Sequence, residues 1–171
     1  EKTLLTSPDP LFLHKSLYRL KQRKVNVVIL EASSHGLDQK RLDYINFKSA
    51  VFTNLSRDHL DYHKNMNHYL NSKLYLFHNL LNKRSSCITD INNSFYKKLV
   101  NIGKKKNFSV NSIGYRQGDL KILSQKYKND LQEVAFLYKN KKYRLKTFLF
   151  GKYQIKNLLF SILLAERCGL S

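Results

Sequence analysis

The sequence predicts an α/β fold, a mostly parallel sheet flanked by helices with a small antiparallel β patch near 120–149. Three observations predict it. The runs 25–30 (VNVVIL) and 49–54 (SAVFTN) have the apolar, β-branched composition of strands buried on both faces. Helix-period stretches alternate with such runs, which implies parallel strands joined by crossover helices. From Leu120 onward, stretches 120–127, 131–139 and 142–149 are separated only by short polar turns, Lys128-Asn129 and Asn140-Lys141, as hairpins are.

The elements follow in order. Ser7-Pro8-Asp9 reads as a helix start, with a hydroxyl cap, a proline at the first position and an acid in the first turn. Leu13, Leu17 and Leu20 then recur at helical spacing. A polar segment, 31–41, separates the first two strands. A helix over 67–79 carries Leu70, Leu74 and Phe77 on one face. A third strand is expected at 86–90, and Phe95, Leu99 and Ile102 mark another helix. The apolar stretch 153–168 reads as a closing helix stopped by Gly169.

Composition narrows the class. With 171 residues the chain suits one domain. No run of 18 apolar residues occurs, so no membrane span is expected. Cys87 and Cys168 make neither a metal motif nor a disulfide framework, which predicts a reducing cytoplasm. The net charge of +19 raises the alternative of a basic nucleic-acid-binding module. Its spread over 21–24, 97–106 and 121–146, without an arginine-rich helix or aromatic RNA-binding signature, favours a general compositional bias.

Three segments carry chemistry. Glu31-Ala32-Ser33-Ser34-His35-Gly36-Leu37-Asp38-Gln39-Lys40-Arg41 follows the first strand, at the sheet edge where open α/β folds bind ligands. Thr53-Asn54-Leu55-Ser56-Arg57-Asp58-His59-Leu60-Asp61-Tyr62-His63 follows the second. Its two histidines and two aspartates suit an oxygen-rich Mg²⁺ or Mn²⁺ site with one imidazole. Lys73 sits on or beside the apolar face of its helix, a costly place unless its charge is paired or removed, or its stem snorkels.

These blocks, in this order and spacing, resemble the central domain of Mur ligases of the muramoyl-tripeptide-forming type. LTSPDPLFLH and GKYQIKNLLFSILLAERCGL resemble the family's segments at either end, and the likeness thins between 79 and 149. The resemblance implies an ATP-dependent ligase that adds the third amino acid, diaminopimelate or lysine, to UDP-MurNAc-L-Ala-D-Glu through an acyl phosphate. ATP and Mg²⁺ are implied as co-substrate and cofactor, with a monomer, no membrane and no specific nucleic acid. By position, Glu31 and His59 resemble magnesium ligands, and Lys73 resembles the lysine that carries a carbamate. Thr6, Ser7, Ser33, Gln39 and Arg41 resemble substrate-binding residues, and Asn54 resembles the asparagine beside the nucleotide. His35 and His63 belong to the motifs without an assigned role.

The sequence also departs from the family. No Gly-x-x-Gly-Lys-[Ser/Thr] phosphate loop occurs, and Ile88-Thr89-Asp90-Ile91-Asn92-Asn93 has less acidity than its family counterpart. Residues 1–171 therefore read as one partial central domain, without the uridine-binding domain, the phosphate loop or the C-terminal domain, and inactive alone. Another Mur-type or folylpolyglutamate-synthase-like ligase is the alternative within the enzyme class.

Overall fold

A computed structural model describes residues 6–128 and 130–170. The chain divides into two compact units, one of residues up to 47 with 55–81, the other of 48–54 with 82 onward.

The first unit is helical. Its first helix, Pro10–Gln22 (α1), begins differently from the expectation. Asp9 is the cap, accepting from the amides of Leu11 at 2.9 Å and Phe12 at 3.3 Å, and Pro10 takes the first turn. A carboxylate can serve two free amides at once, and proline lacks the amide that would otherwise be orphaned there. Ser7 is instead fully buried, outside the helix. A short helix, Ser34–Asp38 (α2), is capped by the Ser33 side chain. A third, Met66–Tyr75 (α3), is capped by the Asn65 side chain on His68 N at 2.9 Å and runs into a wider π-type turn, Leu76–Leu80. Leu70, Leu74 and Phe77 are buried, as their spacing predicts.

The expected strand at 25–30 does not form. Its residues lie in irregular backbone, with Val25, Val28 and Ile29 exposed. A strand buried on both faces needs hydrogen-bonded neighbours and covering layers, and none of the sheet's six strands pairs with this run.

The second unit holds a six-stranded sheet whose spatial order is the chain order. Its strands are Phe47–Phe52 (β1), Leu81–Asp90 (β2), Ser109–Tyr115 (β3), Leu120–Lys128 (β4), Leu131–Tyr138 (β5) and Lys141–Thr147 (β6). β2 and β3 pair in parallel across the helix Tyr96–Lys106 (α4). β3 and β4 also pair in parallel, over three residues, although only 116–119 connect them. The return is tight because Gly118, at φ +90°, adopts a backbone that side chains disfavour, and the Asp119 carboxylate accepts from Ser112 N at 2.7 Å and Ser112 Oγ at 2.8 Å. β4, β5 and β6 form the expected antiparallel patch. Of the turn expected at Lys128-Asn129, Asn129 lies outside the described residues.

The last helix, Lys152–Arg167 (α5), covers the sheet. Its Ile155, Leu159, Phe160 and Leu163 pack with Ile88, Ile113, Leu120, Ile122, Val134 and Phe136 in one apolar cluster. Gly169, at φ +81°, follows the helix as the sequence predicts. Among the described residues, no helix is long and apolar enough to cross a membrane.

Candidate active site

Of the residues singled out by sequence, all but Asn54 lie in the helical unit. Asn54 lies in the sheet unit, exposed, two positions beyond β1.

Four of the five expected substrate-binding residues join one hydrogen-bond network. Ser7 Oγ donates to the Glu31 carbonyl at 3.0 Å and accepts from Ser33 N at 2.9 Å. With its only proton committed, Ser7 Oγ also accepts from the Ser33 hydroxyl, 3.0 Å away. Ser33 Oγ in turn accepts from Gly36 N at 3.1 Å, which caps α2. Gly36 is required by the close approach: a Cβ there would stand 2.5 Å from Ser7 Cβ. Arg41 Nη1 donates to the Ser7 carbonyl at 2.9 Å, and its Nη2 donates to Gln39 Oε1. Gln39 Nε2 reaches Tyr62 Oη at 3.1 Å, and Tyr62 Oη donates to Asp38 Oδ2 at 2.9 Å. Thr6 is exposed beside Ser7.

An aromatic and imidazole cluster adjoins this network. The His35 ring lies 4.1 Å from Tyr62, 5.1 Å from His59 and 5.4 Å from His63. His63 is fully buried, with Nε2 3.0 Å from Ser34 Oγ and Nδ1 3.4 Å from His68 Nδ1. Burial, then the neighbouring His68 and His35, pushes its pKa below the ordinary imidazole value. Asp38 shows the opposite balance. Burial alone would raise its pKa, but hydrogen bonds from Ser72 (2.9 Å) and Tyr62, with His68 and His63 nearby, leave it lowered and the carboxylate charged.

The three expected magnesium ligands are placed as follows. His59 is exposed, in left-handed backbone at φ +56°, with its amide bonded to Asp58 Oδ1 at 2.8 Å. Its ring meets Tyr69 edge-on at 5.8 Å. Lys73 is half-buried with Nζ 4.9 Å from the centre of the same Tyr69 ring, so His59 and Lys73 share one aromatic neighbour. The Glu31 side chain is exposed, and its carbonyl ties it to Ser7. The pairs of histidines and aspartates in 58–63 do not form a single cluster: Asp58 turns to His59, and His63 turns inward to Ser34 and His68.

Sequence reasoning missed Ser34, Asp38, Tyr62, His68 and Ser72 as partners. One signal was available, the four-residue spacing of His68 and Ser72, which puts both on one face of α3 toward Asp38.

The fold is shared with solved ligase structures. A structure of UDP-N-acetylmuramoyl-L-alanyl-D-glutamate–2,6-diaminopimelate ligase superposes with a TM-score of 0.86 at 24% identity, over 96% of this chain and 34% of that one. The MurF ligase from Thermotoga maritima in complex with ADP gives 0.63 at 14% identity, over 74% of this chain and 29% of that one. Residues 1–165 match the family described as the Mur ligase middle domain, and the chain belongs to the Mur ligase family. It is 37% identical over 168 residues to the UDP-N-acetylmuramoyl-L-alanyl-D-glutamate–2,6-diaminopimelate ligase of Rhizobium meliloti (strain 1021), which covers 98% of this chain. A 34% identical relative of the same description comes from Bradyrhizobium diazoefficiens. The chain spans about a third of these relatives' length (34% and 35%).

Proposed function

We propose that this chain is the middle domain of an ATP-dependent ligase that adds the third amino acid to UDP-MurNAc-L-Ala-D-Glu, in the cytoplasm, during peptidoglycan precursor synthesis. The relatives' names point to 2,6-diaminopimelate as that amino acid. The observation that carries the reading is the network joining Ser7, Ser33, Gln39 and Arg41, four separate expectations of one substrate site linked by hydrogen bonds.

In this reading the substrate's D-glutamate carboxylate takes the terminal phosphoryl group of ATP, and the incoming amine displaces phosphate from the acyl phosphate to leave an amide. Arg41 offers a planar, permanently charged fork to carboxylate or phosphate oxygens, and Ser33 and Ser7 fix the loop that presents it. Asn54 would meet the nucleotide. The exposed Glu31 carboxylate and His59 imidazole, with the half-buried Lys73, make a donor set that fits Mg²⁺ once the Lys73 amine has taken up CO₂ and lost a proton. Magnesium would supply neutralisation of phosphate charge. Carbamylation also explains a lysine at the edge of an apolar face, since it replaces a cation by an anion that a metal can hold.

The test is made in the complete enzyme, following ADP release. Lys73→Ala is expected to abolish turnover, with recovery on adding short carboxylates such as formate or acetate. Undiminished turnover in Lys73→Ala would refute the assignment. The isolated 171-residue chain is expected to show no ligase activity, since its sequence holds no glycine-rich phosphate loop.

A further inference from the structure

The proposed magnesium set does not use Asp38, His63 or His68, yet each offers one donor atom and all three atoms lie within 4.8 Å of one another. We propose that these three side chains form a second cation site, for a zinc-like divalent ion, that ties α2 to α3 and to the 59–63 turn.

The surroundings orient the donors as a metal site requires. Ser34 Oγ holds His63 Nε2 at 3.0 Å, which leaves Nδ1 facing His68. Tyr62 Oη holds Asp38 Oδ2 at 2.9 Å, which leaves Oδ1 facing His68 Nε2 at 3.2 Å. Ser72 Oγ donates to Asp38 Oδ1 at 2.9 Å and fixes the carboxylate from α3. Outer partners that set the direction of each ligand are the usual companions of metal-bound histidine and carboxylate. Adjacent ligands of a tetrahedral zinc ion, with bonds near 2.0–2.1 Å, stand about 3.3 Å apart. The Asp38 Oδ1–His68 Nε2 contact at 3.2 Å has that length, while His63 Nδ1 stands 3.4 Å from the other nitrogen of the same ring, Nδ1.

His68 presents Nε2 to one partner and Nδ1 to the other, so an ion engages one of its nitrogens and draws the remaining donors in. The half-exposed ring can make that adjustment, whereas buried His63 is fixed. Two imidazoles and one carboxylate select Zn²⁺, Co²⁺ or Ni²⁺ over Mg²⁺, which demands an oxygen shell. The open fourth position falls to water. A further imidazole, His35, stands 5.4 Å from His63 ring to ring, with His59 5.1 Å beyond it.

The experiment titrates the purified chain with Co²⁺ at neutral pH in millimolar Mg²⁺, reading the visible ligand-field band of tetrahedral cobalt, and then displaces it with Zn²⁺. One ion per chain is expected, with a raised thermal midpoint on adding Zn²⁺. Asp38→Asn and His68→Gln are expected to remove the band, and Ser34→Ala to weaken binding about tenfold. His14→Gln, which alters an exposed imidazole on α1, is expected to change nothing. The isosteric Asp38→Asn keeps the test sound if His68→Gln fails to fold, and side-chain nitrogen NMR of the parent chain gives a second readout in His63 and His68. No saturable Co²⁺ or Zn²⁺ binding up to about millimolar, binding indifferent to both ligand substitutions, or displacement by Mg²⁺ would overturn the proposal.

Discussion

The Ser7 side chain lies so close to the Gly36 backbone that no side chain fits at Gly36: a Cβ there would meet Ser7 Cβ at 2.5 Å and Ser7 Oγ at 2.7 Å. Alanine in a helix is favoured over glycine by about 1 kcal/mol. Overpacking against a fully buried neighbour costs about 1–3 kcal/mol and wins here. Gly36→Ala is therefore expected to lower stability in urea denaturation. Ser7→Gly in the same chain removes the atoms it strikes, so the pair should be less destabilised than the sum of the single changes.

The sheet unit should be sensitive at α5. Leu159 is fully buried against the strands, and Leu159→Ala should cost about 2–5 kcal/mol by loss of transfer energy and an unfilled cavity. The same change at the exposed Tyr153 should move the thermal midpoint little.

Lys156 on α5 pairs with Asp90 at the end of β2, and both are largely buried. Truncating only the lysine leaves a carboxylate without its cation. Lys156→Ala should thus cost about 3 kcal/mol, and Asp90→Asn in that background should restore part of it.

Tyr138 and Glu166 give a pH signature. Burial, then the Glu166 hydrogen bond at 2.5 Å, raises the Tyr138 phenol to about 12. Its folded value exceeds its unfolded one, so its contribution is complete below pH 10 and disappears as pH rises toward about 12. Glu166 is lowered, by its hydrogen bonds from Lys139 and Tyr138, from a usual 4.5, so its contribution is present above that value and lost as pH falls below it. In an ultraviolet titration, the difference between the parent chain and Tyr138→Phe should report one tyrosine ionising near 12.

The exposed run at 25–30 has the β-forming, uncharged composition of aggregation-prone segments. Ile29→Lys is expected to slow aggregation of the isolated chain, measured by light scattering, without lowering its thermal midpoint.

The same run shows where sequence reading stops. VNVVIL carries the composition of a buried strand, but a strand is made by its neighbours, and among the described residues none of the sheet's strands pairs with it. β3 is the reverse case. SVNSIGY holds two serines, an asparagine and a glycine, so nothing local marks it, and its pairings with β2 and β4 make it a strand. The helices α3, α4 and α5 were legible because burial at helical spacing needs no distant partner to be seen. In the site, the Ser7–Ser33–Gln39–Arg41 set could be named from motif resemblance. The spacing of His68 and Ser72 puts both on one face of α3, but their meeting with Asp38 could not be read, because it depends on α2 packing against α3.

The strands lie side by side in the order in which they occur along the chain. Each ladder therefore closes a modest loop, and β4, β5 and β6, which follow one another at intervals of two residues along the chain, close the smallest ones. Loop entropy penalises such pairings least, so this meander is suited to nucleate refolding, with β3, β2 and β1 added in turn. Destabilising changes in β5 should then slow refolding, while those in β1 should mainly hasten unfolding.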